Sequence, residues 1–226
     1  DYYAPSALYY MQKKGLIVAS AFKAFSSKTN LGNKDFSFGS IMIPVSKQQK
    51  LSADKVYEIV SEAQKKFSVP IYSANTGFSI KGIDLGSNNF RTVKKPKIAM
   101  LIGDGVSSTE AGEVWHLLDT RTKVPITKLQ TNTLRGAWLD KYNTLVMVSG
   151  SYNTIDSIKR QNIKDWTAKG NTLITIGSAS KWAVDKKLVK EKLTKKPKSK
   201  DKDKEEEEEE EEKEKKLTYV HASENL

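Results

Sequence analysis

The chain contains no cysteine, and only two of its 226 residues are histidine. Without cysteine there can be no disulfide bond, no thiolate metal ligand and no cysteine nucleophile. A zinc hydrolase needs histidines and a carboxylate that converge on one metal ion. His221 and Glu224 have the His-x-x-Glu spacing, but no later histidine could supply a third ligand. We therefore expect neither a metal site nor a cofactor in this chain.

Long apolar runs are also missing, since none approaches the roughly 20 residues that a membrane-spanning helix needs. No signal-like segment opens the chain, which begins at Asp1 without a methionine. This start favours an internal piece of a longer polypeptide. We expect no membrane span within it.

The charge is strongly positive, at +11. Outside residues 195–216, 29 basic and 16 acidic residues leave a net +13. These lysines are scattered, and no helix-turn-helix or RNA-binding signature accompanies them. The composition therefore favours a solvated basic surface, and we expect no nucleic-acid partner.

Lys97–Asp119 contains a strand, a glycine loop and a helix in that order. Ile98–Ile102 is wholly apolar, as in a parallel strand that is buried on both faces. The Gly-Asp-Gly sequence that follows allows a sharp turn, and Ser107 with Glu110 has the spacing of a capping box. These features predict the first half of a βαβ unit.

Ligands of open α/β sheets collect at the carboxyl ends of the strands, where this glycine loop would lie. The loop lacks the third glycine of the dinucleotide fingerprint and the lysine of a phosphate loop, so a plain tight turn is the simpler interpretation. A weak anion or nucleotide site remains an alternative. Its residues would be Gly103, Asp104, Gly105 and Ser107.

The predicted helix has two different sides. At 100° per residue its apolar side chains form one stripe, which should bury Trp115. The opposite side carries the polar residues, and we expect it to be a contact surface. The residues of this predicted contact face are Glu113, His116 and Thr120.

Three more strands are expected after this unit, at Pro125–Leu129, Thr144–Val148 and Thr172–Ile176. They alternate with predicted helices, one of which begins at Thr154 or Asp156. Its expected inward residues are Ile155, Ile158, Asn162 or Ile163, and Trp166. Such alternation predicts a doubly wound, mostly parallel α/β sheet.

The remainder of the chain divides by composition. Residues 1–76 predict a small α/β unit with a helix after Ser52 and strands near Leu16–Phe22, Ser40–Val45 and Pro70–Ser73. Residues 77–96 are rich in glycine and asparagine and predict an ordered connection to the α/β domain at 97–193. A charged low-complexity insert at 194–216 and a short last segment, 217–226, complete the chain.

Serine chemistry is the other catalytic possibility. Ser178 lies in the turn between the fourth strand and its helix, where a nucleophile elbow would place a serine. The G-x-S-x-G pattern is absent, and no histidine is placed by the sequence to activate Ser178 or Ser180. Both are more simply helix caps, and a serine hydrolase using Ser178 stays an alternative.

Four phrases together resemble the segment that follows the peptidase domain in a subgroup of bacterial zinc carboxypeptidases, the carboxypeptidase A-like metallopeptidases. The most specific is GEVWHLLD after the Gly-Asp-Gly loop. The phrases are GSIMIPV (39–45), TGFSIKGIDLGSNNF (76–90), KPKIAMLIGDGVSSTEAGEVWHLLDTR (95–121) and YNTLVMVSGSY (142–152).

The resemblance implies a class I glutamine amidotransferase-like, flavodoxin-like sheet and a secreted or periplasmic parent protein. It also implies that zinc and its ligands belong to an upstream peptidase domain. The amidotransferase cysteine would fall near Gly177 or Ser178, and neither is cysteine. The chain is therefore expected to be a non-catalytic accessory region whose partner is the parent peptidase domain.

Overall fold

The computed structural model describes residues 2–194, and the charged insert and last segment expected at 194–216 and 217–226 lie almost wholly outside this range. The chain forms two compact units. The first comprises the residues up to Ile98 together with Gly112–Thr127. The second comprises Ala99–Ala111 and the described residues from Lys128 onward.

Two helices pack together in the first unit, α1 (Ala4–Lys13) and α2 (Ala53–Phe67). The Ser52 hydroxyl caps α2 by accepting a hydrogen bond from Lys55 N at 3.3 Å, as the sequence predicts. The apolar stripe of α2 provides its share of the first core. The buried residues of this core are Met11, Leu16, Val18, Val56, Ile59 and Ala63.

Two small antiparallel sheets complete the first unit. In chain order their strands are β1 (Ala19–Ala21), β2 (Phe25–Thr29), β3 (Gly32–Phe36), β4 (Ile41–Met42), β5 (Lys81–Gly82) and β6 (Phe90–Thr92). One sheet has the order β4-β1-β6 and the other β3-β2-β5. A 3₁₀ turn, Val45–Lys47, precedes α2.

The β2–β3 hairpin was not predicted, because its strands are mostly polar. Phe25 stacks on Phe36 across the hairpin at 4.8 Å between ring centroids, and Phe90 meets Phe25 edge-on at 5.2 Å. These ring contacts supply the apolar packing that the composition of the strands does not suggest. The strand expected at Pro70–Ser73 is not formed, and these residues have no regular secondary structure.

Residues 77–96 are ordered, as expected, and they contribute strands rather than only a connection. β5 pairs with β2, and β6 pairs with β1. Both pairings join segments that are far apart in sequence. The first unit therefore includes this stretch.

Gln48 holds the start of β1 in place from inside the first unit. Its buried side chain accepts a hydrogen bond from Ile17 N at 2.8 Å and donates to Ile17 O at 2.7 Å and to Pro44 O at 3.0 Å. The amide thus pairs with Ile17 as a neighbouring strand would.

The second unit contains a four-stranded parallel sheet. Its strands are β7 (Ile98–Ile102), β8 (Ile126–Gln130), β9 (Thr144–Met147) and β10 (Thr172–Thr175). Their order is β10-β9-β7-β8, and the prediction of an α/β chain with a parallel sheet is confirmed. From β7 the chain first adds β8 on one side of β7. It then adds β9 and β10 on the other side.

Helices connect these strands. They are α3 (Ser108–Trp115), α4 (Gly136–Leu139), α5 (Ser157–Ala168) and α6 (Ser178–Asp185). Asp156 caps α5 by accepting from Lys159 N at 2.8 Å. Trp166 is buried and donates its indole N–H to Leu139 O at 2.8 Å, whereas Ile158, expected inside, is exposed.

The helix after β7 does not continue as a regular α-helix. α3 ends at Trp115, and His116–Arg121 is a π-helical segment in which Thr122 N donates to Leu117 O, five residues back. The expected burial of Trp115 is wrong, since this side chain is 38% exposed. The apolar stripe on which that expectation rested is interrupted one residue later, where the π-helical segment begins.

No helix among residues 2–194 is both long and apolar enough to cross a membrane.

Replacing Gln48 with alanine would leave the N–H and C=O of Ile17 without their partner. We expect Gln48→Ala to lower the free energy of unfolding by about 1–3 kcal/mol, measured by urea denaturation. Gln49→Ala, at the exposed neighbouring position, is the matched control and should change it by less than about 0.5 kcal/mol. Equal effects of the two variants would contradict this role of Gln48.

Candidate functional site

The candidate site is at the carboxyl ends of β7 and β9, where the order of strands reverses. A crevice between diverging loops is expected at such a point. Here the two loops are joined instead. Ser107 N donates to Ser149 O at 2.8 Å, Ser151 N donates to Gly105 O at 2.9 Å, and Val106 pairs with Gly150 as an isolated bridge.

Glu110 ties the start of α3 to the end of β9. The Ser107 hydroxyl accepts from Glu110 N at 3.3 Å, which is half of the predicted capping box. The other half is absent, because the Glu110 carboxylate accepts from Ser149 N at 2.8 Å. A charge-assisted bond therefore joins a strand tip to the helix that follows its neighbour.

Ser149 and Ser178 continue the network to the end of β10. Ser178 N donates to the Ser149 hydroxyl at 3.1 Å, and Gly150 N donates to the Ser178 hydroxyl at 2.9 Å. The prediction that Ser178 and Ser180 cap their helix is wrong. Gly177 is the N-cap residue, and the Ser180 hydroxyl donates to Thr175 O at 3.1 Å.

Gly177 has the backbone conformation of a strained strand-to-helix turn, with φ 58° and ψ −132°. A positive φ is readily adopted by glycine, whereas most residues would be strained there. A Cβ at this position would overlap the Ser149 hydroxyl and would lie 3.7 Å from Glu110 Oε2. The sharpest point of the turn therefore carries no side chain, and its space is filled by Ser149.

Tyr152 lies beneath this network. It is buried, packs against Trp182 at 5.4 Å between ring centroids, and donates its hydroxyl to Val148 O at 2.5 Å. Burial raises the pKa of the Tyr152 phenol, and the Glu110 carboxylate raises it further. The phenol is thus held in its neutral form.

The predicted ligand loop belongs to the same network. Asp104 and Gly105 are exposed, and Gly103 and Ser107 are partly buried. Two of its amides are already bonded within the protein, since Val106 N donates to Gly103 O at 3.0 Å and Ser107 N donates to Ser149 O. Anion binding at this loop stays a prediction, and it would have to use other donors.

Ser178 lies one residue beyond the sharp turn, at the first helical position. Within the described part of the chain, the Ser178 hydroxyl accepts a hydrogen bond from Gly150 N. A serine hydrolase that uses Ser178 stays a prediction.

The predicted contact face is exposed as expected at Glu113, His116 and Thr120. Because the π-helical segment begins at His116, Thr120 is not at regular α-helical spacing from Glu113 and His116. Trp115, the last residue of α3, and Leu117, within the π-helical segment, are also exposed. The surface is therefore more apolar than its sequence pattern suggests.

Across residues 2–194 there is no group of three or more His, Cys, Asp or Glu side chains that could hold a metal ion. His221 and Glu224 lie outside the described residues.

Sequence reasoning missed Ser149 and the use made of the Glu110 carboxylate. A run of small residues after an apolar strand was the available signal, since Ser149-Gly150-Ser151 follows β9 directly. No local pattern shows that this run pairs with a loop more than 40 residues earlier.

The chain matches no protein-family model, no curated protein and no solved structure at a significant level.

Removing the Glu110 carboxylate should loosen the strand tips. We expect Glu110→Ala to lower the free energy of unfolding by about 1.5–3 kcal/mol, because Ser149 N loses a charged acceptor. Glu113→Ala, one turn further at an exposed position, should change it by less than about 0.5 kcal/mol. Urea denaturation of both variants decides this, and a Glu110→Ala variant as stable as Glu113→Ala would contradict it.

Tyr152 should make stability depend on alkaline pH. Its folded-state pKa lies above the unfolded value of about 10, so the unfolded chain loses this proton first. Its contribution is complete below about pH 10 and is lost as the pH rises further. The wild type should therefore lose more free energy of unfolding than Tyr152→Phe between about pH 9 and about pH 11.

A second tyrosine, Tyr10, also has a raised pKa and contributes to the same pH range. Its hydrogen bond to Glu62 raises the pKa of Tyr10 in both proteins, so this effect cancels in the comparison. Parallel pH profiles for the wild type and Tyr152→Phe would show that Tyr152 has no such role.

Proposed function

We propose that this chain is a non-catalytic accessory region of a secreted or periplasmic zinc carboxypeptidase. Its second unit would be an amidotransferase-like domain. The parent would hydrolyse C-terminal peptide bonds through an upstream domain that carries the zinc ligands. The sequence phrases between residues 39 and 152 carry the family part of this proposal.

The strand order supports the flavodoxin-like part. Numbered from β7, the four strands have the order 2-1-3-4, which is the flavodoxin-like order without its fifth strand. The resemblance to amidotransferases places their nucleophile in the turn after the fourth strand. The turn after β10 is the corresponding place here.

One observation carries the non-catalytic part: the residue at the sharp turn is Gly177, and the space for its side chain is taken by Ser149. An acyl-transfer site also needs free donors that stabilise an oxyanion. The amides of Ser149, Gly150 and Ser178 are already bonded to Glu110, Ser178 and Ser149. We infer that use of these amides as oxyanion donors would require the hydrogen bonds to rearrange.

The function left to the chain is positioning. Trp115, Leu117 and the predicted contact face Glu113, His116 and Thr120 form an exposed apolar and polar surface on one segment. Tryptophan is enriched at protein interfaces. We infer that this surface contacts the parent peptidase domain.

Assays of this chain for carboxypeptidase, glutaminase and esterase activity, with and without zinc, test the proposal. We expect no turnover above that of buffer, and Ser178→Ala should not differ from the wild type. Turnover that requires zinc, or that Ser178→Ala abolishes, would contradict it.

The family part needs its own measurement. The native polypeptide that contains this chain should hold zinc, whereas residues 1–226 alone should hold none, as measured by metal analysis of the purified proteins. Zinc bound by residues 1–226, or a native polypeptide without zinc, would overturn the carboxypeptidase assignment.

A further inference from the structure

β10 forms one edge of the parallel sheet. It pairs with β9 on one side, and within residues 2–194 no strand pairs with its other side. Unpaired edges expose backbone N–H and C=O groups, which invite a further strand. Proteins usually protect such edges with charges, proline or bulges.

The two edges of this sheet differ in protection. β8, at the opposite edge, follows Pro125 and contains Lys128. Around β10, Gly170–Ser180 contains neither proline nor a charged residue. The β10 edge therefore lacks the protection that β8 has.

Both faces of the sheet are incompletely covered at β10. Ile174 is 42% exposed and Ile176 is 39% exposed on one face. On the other face lies a cavity of about 350 Å³. Its lining residues are Lys164, Thr167, Ala168, Leu173, Thr175, Leu188 and Val189. A strand added to the edge would cover apolar surface on both faces.

We propose that β10 pairs with β10 of a second copy of this chain, in antiparallel orientation about a two-fold axis perpendicular to the sheet. The absence of charge across Gly170–Ser180 means that the axis brings no like charges together. The two sheets then join into one of eight strands.

The backbone directions limit the possible registers. Thr172 N and Ile176 N donate to Asn143 O at 2.9 Å and Met147 O at 2.8 Å, on the β9 side. Since directions alternate along a strand, the N–H and C=O groups of Leu173 and Thr175 point to the open edge.

A two-fold axis perpendicular to the sheet keeps each face on its own side, so paired residues must share a face. Of the registers that satisfy this, only the one with Leu173 opposite Thr175 of the second copy pairs both outward-facing residues of each β10, and the two residues then exchange two hydrogen bonds. Thr175 O already accepts from the Ser180 hydroxyl, but a carbonyl oxygen has a second lone pair. Ile174 meets Ile174 of the second copy at the axis.

Sedimentation equilibrium of the chain tests this pairing. We expect the wild type to approach the mass of a dimer at concentrations on the order of 100 µM, since a single strand pair gives a weak interface. Ile174→Lys places two ammonium groups opposite each other and should give a monomer. Thr127→Lys, the matched control on β8, should remain a dimer.

A cross-link provides a second readout, because the chain has no cysteine of its own. With an added thiol oxidant, Ile174→Cys should form an intermolecular disulfide, whereas Thr127→Cys should not. Circular dichroism checks that each variant is folded. A wild type that remains monomeric, or Ile174→Cys that cross-links no better than Thr127→Cys, would overturn the proposal.

Discussion

The hydrogen bonds that join the tips of β7, β9 and β10 are the constraint on which the second unit depends. A parallel sheet normally opens a crevice where its strand order reverses, because the loops there diverge. In this chain the loops after β7 and β9 bond to each other through Ser107, Ser149 and Ser151. Several backbone amides at these strand tips are thereby bonded within the protein.

Glu110 is the charged member of this arrangement. It lies in the first turn of α3, where a carboxylate is favoured by the helix dipole, and it accepts from an amide of the neighbouring loop. Tyr152 lies buried beneath this network and donates its hydroxyl to Val148 O. Gly177 completes it, because any side chain there would displace the Ser149 hydroxyl.

Much of the parallel sheet could be predicted from the sequence. Ile98–Ile102 and Thr144–Met147 are apolar runs between turn residues, and such runs indicate buried strands whatever the rest of the chain does. The caps at Ser52 and Asp156 were also local signals. Local chemistry determined these elements, so local reasoning found them.

Other features depend on partners far away in sequence. The polar β2–β3 hairpin is held by Phe25, Phe36 and Phe90, and nothing in its alternation predicts those ring contacts. Trp115 was expected inside because helical periodicity was assumed to continue through His116. The capping role of Glu110 could be predicted from its spacing to Ser107. Its hydrogen bond from Ser149 N could not, because Ser149 is far away in sequence.

The proposed accessory role rests on strand tips whose polar groups are bonded to one another. In that proposal the contact surfaces are the segment with Trp115 and the β10 edge. Amide hydrogen exchange of the wild type, resolved by NMR at Ser149, Gly150 and Ser178, tests this most directly. Strong protection at all three is the expected result, and exchange at the rate of free loop amides would contradict the account.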